Sequence, residues 1–390
     1  MCRPPRIWLR SSSRSDEQHY RSMSNWDRSN SELITDQDSL TVPAGETTQP
    51  SSAFVLPPSF QAHGFHIGNV AIDFPVVQAA LSGYSDWPMR VIARRLGAAY
   101  TLGEVLLDKF IVQVSKGSKA RRYIRTSNEE HPVGAQLMGA DPEGFPPAAL
   151  KLAEAGFDII DLNFGCPVKK VLGRCCGGFL LSTPRAALEI VGRVRDVLPP
   201  HIPLTVKMRR GLDDSQESLD NFFAIFDGAF RLGAAAITVH GRTVRQRYDG
   251  PSTWNFLREV KQHAGSRIIL GSGDLFTAED CLNMLIQTGV DGVTAARGAI
   301  GNPWIFRQAR ALAAGQPAEH PSLAEQREVM LEHYRLAEVT YGHHRTSAHM
   351  RKFGILGSRM HPRMKEVRED FVAVKTRDQW HAVVEKWYCG

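Results

Sequence analysis

Gly156–Lys170 reads GFDIIDLNFGCPVKK. The glycine ends a helical pattern, the mostly apolar run Phe157–Ile160 follows as a short buried strand, and the chain then enters a loop. That loop carries an amide (Asn163), a thiol (Cys166) and two lysines (Lys169, Lys170). Gly165 and Pro167 flank the thiol and fix the backbone around it, since glycine permits unusual dihedrals and proline locks φ. A lone cysteine is commonly a small buried hydrophobe. One that follows a strand in a loop among polar neighbours reads instead as a chemical group.

The same unit recurs along the chain. Short apolar runs at Val76–Ala79, Ala99–Leu102, Val133–Leu137, Ile159–Asn163, Leu204–Lys207, Ala236–His240, Ile268–Gly271 and Gly292–Ala295 read as strands. Between them lie helical patterns such as Pro142–Ala155, Pro184–Leu198, Leu219–Leu232 and Ala278–Thr288. Gly97, Gly156, Gly233 and Gly289 each stand just before a strand, where a left-handed helix cap costs glycine nothing. Strand–helix alternation repeated about eight times predicts a (β/α)8 TIM barrel in the α/β class. A doubly wound open sheet is the alternative, but no GxGxxG follows the first strand.

Polar residues gather at the expected strand ends. Gln136, Asn163, Lys207 and His240 lie at or near C-terminal ends, and Ser272-Gly273-Asp274 and Arg297-Gly298 follow the last two strands. In a barrel these ends converge on one face, which holds the active site. The glycine-rich turns Gly271–Asp274 and Ala296–Gly298 supply backbone N–H groups where barrels bind phosphate, and Arg297 adds a charged fork. A phosphorylated cofactor is therefore expected, with Gln136 and Lys207 at its ring and Cys166 and His240 at its reactive side.

Composition is that of an ordinary globular chain: 390 residues, 43% hydrophobic and 23% charged, with room for one large and one smaller domain. No apolar run approaches the roughly 20 residues that span a bilayer. The six cysteines follow no regular framework, which predicts a reducing, cytoplasmic setting. The vicinal pair Cys175-Cys176 lacks CxxC spacing, so no metal site is expected. A net charge of +6 permits an anionic partner without establishing one. Residues 1–65, rich in Ser, Arg, Asp, Thr and Pro at their start, are expected to be a disordered extension. A barrel is expected over 66–315 and a small helical domain over 316–390, where Leu323–Val339, Ala348–Leu356 and Trp380–Trp387 read as helices.

DLNFGCPVKK resembles the signature of the tRNA-dihydrouridine synthases, flavin enzymes that reduce uridines in transfer RNA. The likeness runs in order through QAALSGYSD (Gln78–Asp86), GAQLMGADPE (Gly134–Glu143), TVKMRRG (Thr205–Gly211), TVHGRT (Thr238–Thr243), GSGDLF (Gly271–Phe276) and ARGAIGNPWIF (Ala296–Phe306). It implies FMN as bound cofactor, NADPH as reductant, hydride delivery to C6 of uridine and proton donation to C5 by Cys166, with the target base flipped into the pocket. Ala80, Leu81, Ser82, Gln136, Asn163, Lys207, His240, Ser272, Gly273, Asp274, Ala296, Arg297 and Gly298 are the implied cofactor contacts. The sequence departs from the family pattern at Ala80-Leu81 (usually Pro-Met), Ser272 (usually Asn) and Ala295-Ala296 (usually Ile-Gly).

The tail is dense in basic residues, and MRKFGILG (Met350–Gly357) resembles the RK-containing segment of the family's RNA-gripping domain. A second basic strip comprises Lys109, Lys116, Lys119, Arg121, Arg122 and Arg125. A charge run is usually a solvated helix face; here Lys169, Arg242, Arg351 and Lys352 are the expected RNA contacts of a monomeric enzyme. Two other readings stay open. One is an FMN barrel acting on a small molecule, which predicts activity without RNA. The other is a flavin-free RNA-binding descendant, which predicts a colourless protein.

Overall fold

The computed structural model describes residues 54–115 and 119–389, and for 119–121 the backbone alone. Of the second basic strip, Lys116 and the side chains of Lys119 and Arg121 lie outside the described residues, as do residues 1–53. Among the described residues no helix is long and apolar enough to cross a membrane.

A small antiparallel hairpin, β1 (Phe65–Ile67) and β2 (Val70–Ile72), precedes the barrel. Eight parallel strands follow: β3 (Val76–Gln78), β4 (Thr101–Leu107), β5 (Val133–Met138), β6 (Ile159–Phe164), β7 (Leu204–Arg209), β8 (Ala236–His240), β9 (Ile268–Ser272) and β10 (Gly292–Ala295). β10 pairs with both β9 and β3, so the sheet closes on itself. Every residue of β5 and β6 is buried, because side chains fill the barrel inside and helices cover it outside. Those helices include α1 (Trp87–Arg95), α2 (Asp108–Gln113), α3 (Phe145–Glu154), α4 (Lys169–Leu172), α5 (Pro184–Val197), α6 (Gln216–Arg231), α7 (Trp254–Ala264), α8 (Ala278–Thr288) and α9 (Ile305–Ala313).

The expected strands stand in the expected order, and the four cap glycines all have positive φ. β4 departs most, running to Leu107 rather than stopping at Leu102. Its register shifts between Leu102 and Val105, so Gly103 and Glu104 lie in a bulge that breaks the apolar pattern.

The extension expected to be disordered up to residue 65 is in place from Phe54. Phe54, Leu56, Phe60 and Phe65 pack against the core, and Ile67 and Ile72 are buried. The hairpin crosses the N-terminal mouth of the barrel: a Cβ on Gly292 would lie 2.8 Å from the Phe65 ring, and one on Gly68 would lie 2.9 Å from Pro203. Isolated apolar residues among polar ones give no period, so only the barrel floor beneath reveals their use.

The tail forms α10 (Leu323–Tyr341), α11 (His343–Gly357), α12 (Met364–Ala373) and α13 (Arg377–Tyr388). Trp380 is its centre, 4.4 Å from Tyr334 and 6.2 Å from Phe371 between ring centroids. A Cβ on Gly354 would fall 2.4 Å from the Phe371 ring, so α11 and α12 pack backbone to aromatic face. This region is seated on the barrel. Leu336 joins Trp87, Val91 and Ile92 in one apolar cluster, and Gly301 lies against the Leu356 backbone.

Candidate active site

A cavity of about 660 Å³ opens at the C-terminal ends of the barrel strands, within the range of cofactor and small-ligand sites. Its walls include Ala80, Leu81, Ser82, Gln136, Asn163, Cys166, Lys207, His240, Ser272, Gly273, Asp274, Ala296 and Arg297. The structure therefore brings together residues spread over more than 200 positions of sequence. Gly298 stands just behind the wall, where a Cβ would collide with the Leu275 carbonyl at 2.2 Å.

The thiol loop is ordered from below by a chain of buried polar groups. Thr205 donates to Asp161 Oδ1 at 2.6 Å, and Gln136 Nε2 donates to Asp161 Oδ2 at 2.7 Å. A carboxylate only accepts, so it fixes which end of the Gln136 amide faces it. Gln136 Oε1 is then left to accept from Asn163 Nδ2 at 2.7 Å, which turns Asn163 Oδ1 toward the loop. That oxygen accepts the backbone N–H groups of Gly165 and Cys166, each at 3.0 Å. The orientation of two amides and the seating of Cys166 thus follow from one carboxylate. Burial raises the Cys166 thiol above its ordinary value, so at neutral pH it carries its proton.

On β7 the inward positions alternate as Thr205, Lys207 and Arg209. Burial, with Arg209 nearby, lowers Lys207 to about 8. Arg209 is 3% exposed and binds the carbonyls of Gly165 (3.0 Å), Thr243 (2.8 Å) and Arg247 (2.7 Å). It ties the thiol loop to the loop after β8.

His240 ends β8. Its Nδ1 accepts the Arg242 backbone N–H at 3.1 Å, so the neutral ring carries its proton on Nε2. Burial and the surrounding cations Arg209, Lys207, Arg242 and Arg297 hold its pKa well below the ordinary value. The ring is a neutral donor.

After β9 and β10 the backbone makes a cradle. A Cβ on Gly273, whose φ is +118°, would lie 2.3 Å from Ser252 Oγ. Asp274, itself at φ +58°, accepts from Arg242 Nη2 at 2.8 Å and from the Ser252 backbone at 2.7 Å. Arg297 lies between the Tyr248 and Phe276 rings, 4.8 and 5.0 Å from their centroids, with Asp274 3.7 Å away. Stacking on both faces holds the guanidinium plane while leaving its edge for an anion. Lys170, Arg174, Lys207, Arg209, Arg247 and Arg297 line the cavity against a single carboxylate, Asp274, which suits an anionic ligand.

Two of the four expected RNA contacts present their charge outward: Lys169 on α4 and Arg351 on α11 are exposed. The other two are turned inward. Arg242 is 3% exposed, and its Nε and Nη2 bind the Gly250 carbonyl and Asp274. Lys352 turns inward, where Nζ donates to the Gly83 carbonyl and stands 4.7 Å from the Tyr84 ring. Asp161, Thr205, Arg209 and Tyr248 received no role from the sequence. The period-two spacing of polar residues on β6 and β7 was the signal for the first three.

The fold and the site define an α/β barrel with a cationic cleft and a protonated thiol at the C-terminal ends of its strands. The dihydrouridine synthase family model matches residues 77–387. A probable tRNA-dihydrouridine synthase of Rickettsia typhi is 34% identical over 279 residues, 71% of this chain and 83% of that one. The tRNA-dihydrouridine synthase B of Shewanella oneidensis is 32% identical over 324 residues, 83% of this chain and 98% of that one. Among solved structures, a histamine dehydrogenase from a Rhizobium species aligns with a TM-score of 0.52 at 13% identity, over 71% of this chain. This chain spans only 51% of that one, and the likeness is one of fold alone. The chain belongs to the dihydrouridine synthase family.

Proposed function

We propose that this protein reduces the C5–C6 double bond of uridine in transfer RNA, with FMN bound in the barrel cavity and NADPH as reductant. The residues present fit a flavin mononucleotide. Gly273 and Gly298 let the turns after β9 and β10 pack close against Ser252 and Leu275, which sets the backbone of the cavity wall there; Arg297 offers a stacked guanidinium edge, and Lys207 and Gln136 line the cavity at the strand ends. Bound FMN would supply the hydride for C6. The chain supplies the matching proton: Cys166 would give its S–H proton to C5, leaving a thiolate that solvent reprotonates. Asn163 keeps that thiol at the cavity wall, and His240 offers an N–H donor in the same cavity. The exposed cations Lys169 and Arg351 suit RNA phosphates.

The observation that carries this reading is the protonated thiol, seated by the Asp161–Gln136–Asn163 chain in the same cavity as Lys207 and Arg297. The test is Cys166→Ala, assayed for dihydrouridine in transfer RNA and for FMN occupancy. Reduction should fall by about 100-fold or more, the scale of a lost general acid, with FMN retained. Full turnover by this variant would overturn the proton-donor role, and a colourless wild-type protein would overturn the flavin.

A further inference from the structure

The first cavity loop is held from outside the barrel. Ala80, Leu81, Ser82 and Gly83 line the cavity, and Gly83 stands in the left-handed region at φ +77°. Its backbone N–H donates to Glu104, and its carbonyl accepts from Lys352. Glu104 lies in the β4 bulge, and bulges recur beside active sites because they re-aim a side chain. Lys352 comes from α11, 269 residues further along the chain.

The Lys352 contact is part of a larger seam. His349 Nε2 lies 2.8 Å from Asp86 Oδ2, Lys352 covers Tyr84, and Phe353 meets the Tyr84 ring edge-on at 5.6 Å. Positions 349, 352 and 353 follow the i, i+3, i+4 spacing of one helix face. Tyr341 of α10 adds a hydrogen bond of 2.7 Å to the same carboxylate, which also caps α1 through the Met89 N–H. Arg351, one residue from Lys352, is exposed. The helix therefore divides its basic pair: one outward, one into the cavity loop.

We propose that Glu104 and Lys352 are positioning residues that grip the Gly83 peptide from both sides, so that the cofactor loop takes its shape only when the helical region is seated. This rests on the flavin reading above, and it gives the helical region a second task besides RNA contact. Burial and the nearby Asp86 push the Glu104 carboxyl up to about 7 against the pull of Lys352, so removing the ammonium favours the neutral acid, which Glu104→Gln mimics.

The experiment uses the full chain with Lys352→Met, Lys352→Arg, Glu104→Gln and the double variant Lys352→Met/Glu104→Gln. Three readouts are taken: hydrogen exchange of the segment 80–86, FMN affinity of apoprotein by fluorescence quenching, and the salt dependence of transfer-RNA binding. Lys352→Met should speed exchange in 80–86 and weaken FMN affinity by about tenfold, the scale of one lost charged hydrogen bond. The salt slope should stay at its wild-type value. Lys352→Arg should recover part of the loss, and the double variant should bind FMN about as weakly as Lys352→Met alone. Unchanged exchange and FMN affinity, with a salt slope reduced by about one, would overturn the proposal and make Lys352 a phosphate contact. Should Lys352→Met fail to fold, Glu104→Ala decides, since it removes the acceptor of the Gly83 N–H and must speed exchange there. A wild type that binds no FMN defeats the flavin reading, while the exchange readout still decides the grip.

Discussion

At the scale of the residue, one acceptor-only group orients the thiol loop. Asp161→Asn keeps the shape but lets the side-chain amide turn, so Gln136 and then Asn163 lose their imposed direction. The variant should lose about 2 kcal/mol of stability, typical of a buried hydrogen bond to a charge, and alkylate faster at Cys166 in a thiol-labelling assay. Lys207 gives a prediction in pH. Its folded value of about 8 lies below that of a free lysine, because burial disfavours the charge. The ammonium is present below about pH 8 and lost above it, so FMN affinity should fall as pH rises through 8 and not at 10. Fluorescence titrations at pH 7, 8 and 9 check this, and Lys207→Met should bind weakly with no such step. For stability of the apoprotein the sign reverses. Between about 8 and the ordinary lysine value the unfolded chain holds the extra proton, so stability rises with pH there.

At the scale of the element, the turns after β9 and β10 depend on two missing side chains. Gly298→Ala would set a Cβ 2.2 Å from the Leu275 carbonyl, a backbone atom that cannot swing aside. The turn must shift, Arg297 with it, and FMN occupancy should drop at least tenfold on this scale of strain, read from the flavin absorbance of purified protein. The same scale shows what a sequence pattern carries. β8, β10 and α8 begin and end as their apolar periods indicate, because each is bounded by a glycine or a capping residue. β4 does not, since its bulge inserts Gly103 and Glu104 into the run. β7 runs two residues past its apolar stretch because Arg209 points into the barrel, where carbonyls satisfy it. A charge at a strand end reads as a loop until those carbonyls are placed.

At the scale of the whole molecule, the helical region and the barrel share one apolar seam. A chain ending at Ala314 would expose Trp87, Val91, Ile92 and Trp304 and leave Gly83 without Lys352. It should be less soluble and several degrees less stable than the full chain by thermal unfolding, rather than a free-standing barrel. Arg351→Ala should weaken transfer-RNA binding and lower its salt slope by about one while leaving FMN affinity intact. The sequence by itself determined the barrel, because the alternation of apolar strands, amphipathic helices and cap glycines is local and survives without contacts. It also indicated that the polar residues at the strand ends face one cavity, since strand ends in a closed barrel must converge, though not the part played by Arg209 or Tyr248. What only the tertiary structure decided was direction. Arg242 and Lys352 turn inward because Asp274, the Gly250 carbonyl and the Gly83 carbonyl await them there. Partners more than two hundred residues away along the chain leave no period in the sequence around a lysine, so its neighbours in space alone decide whether it faces RNA or the cavity loop.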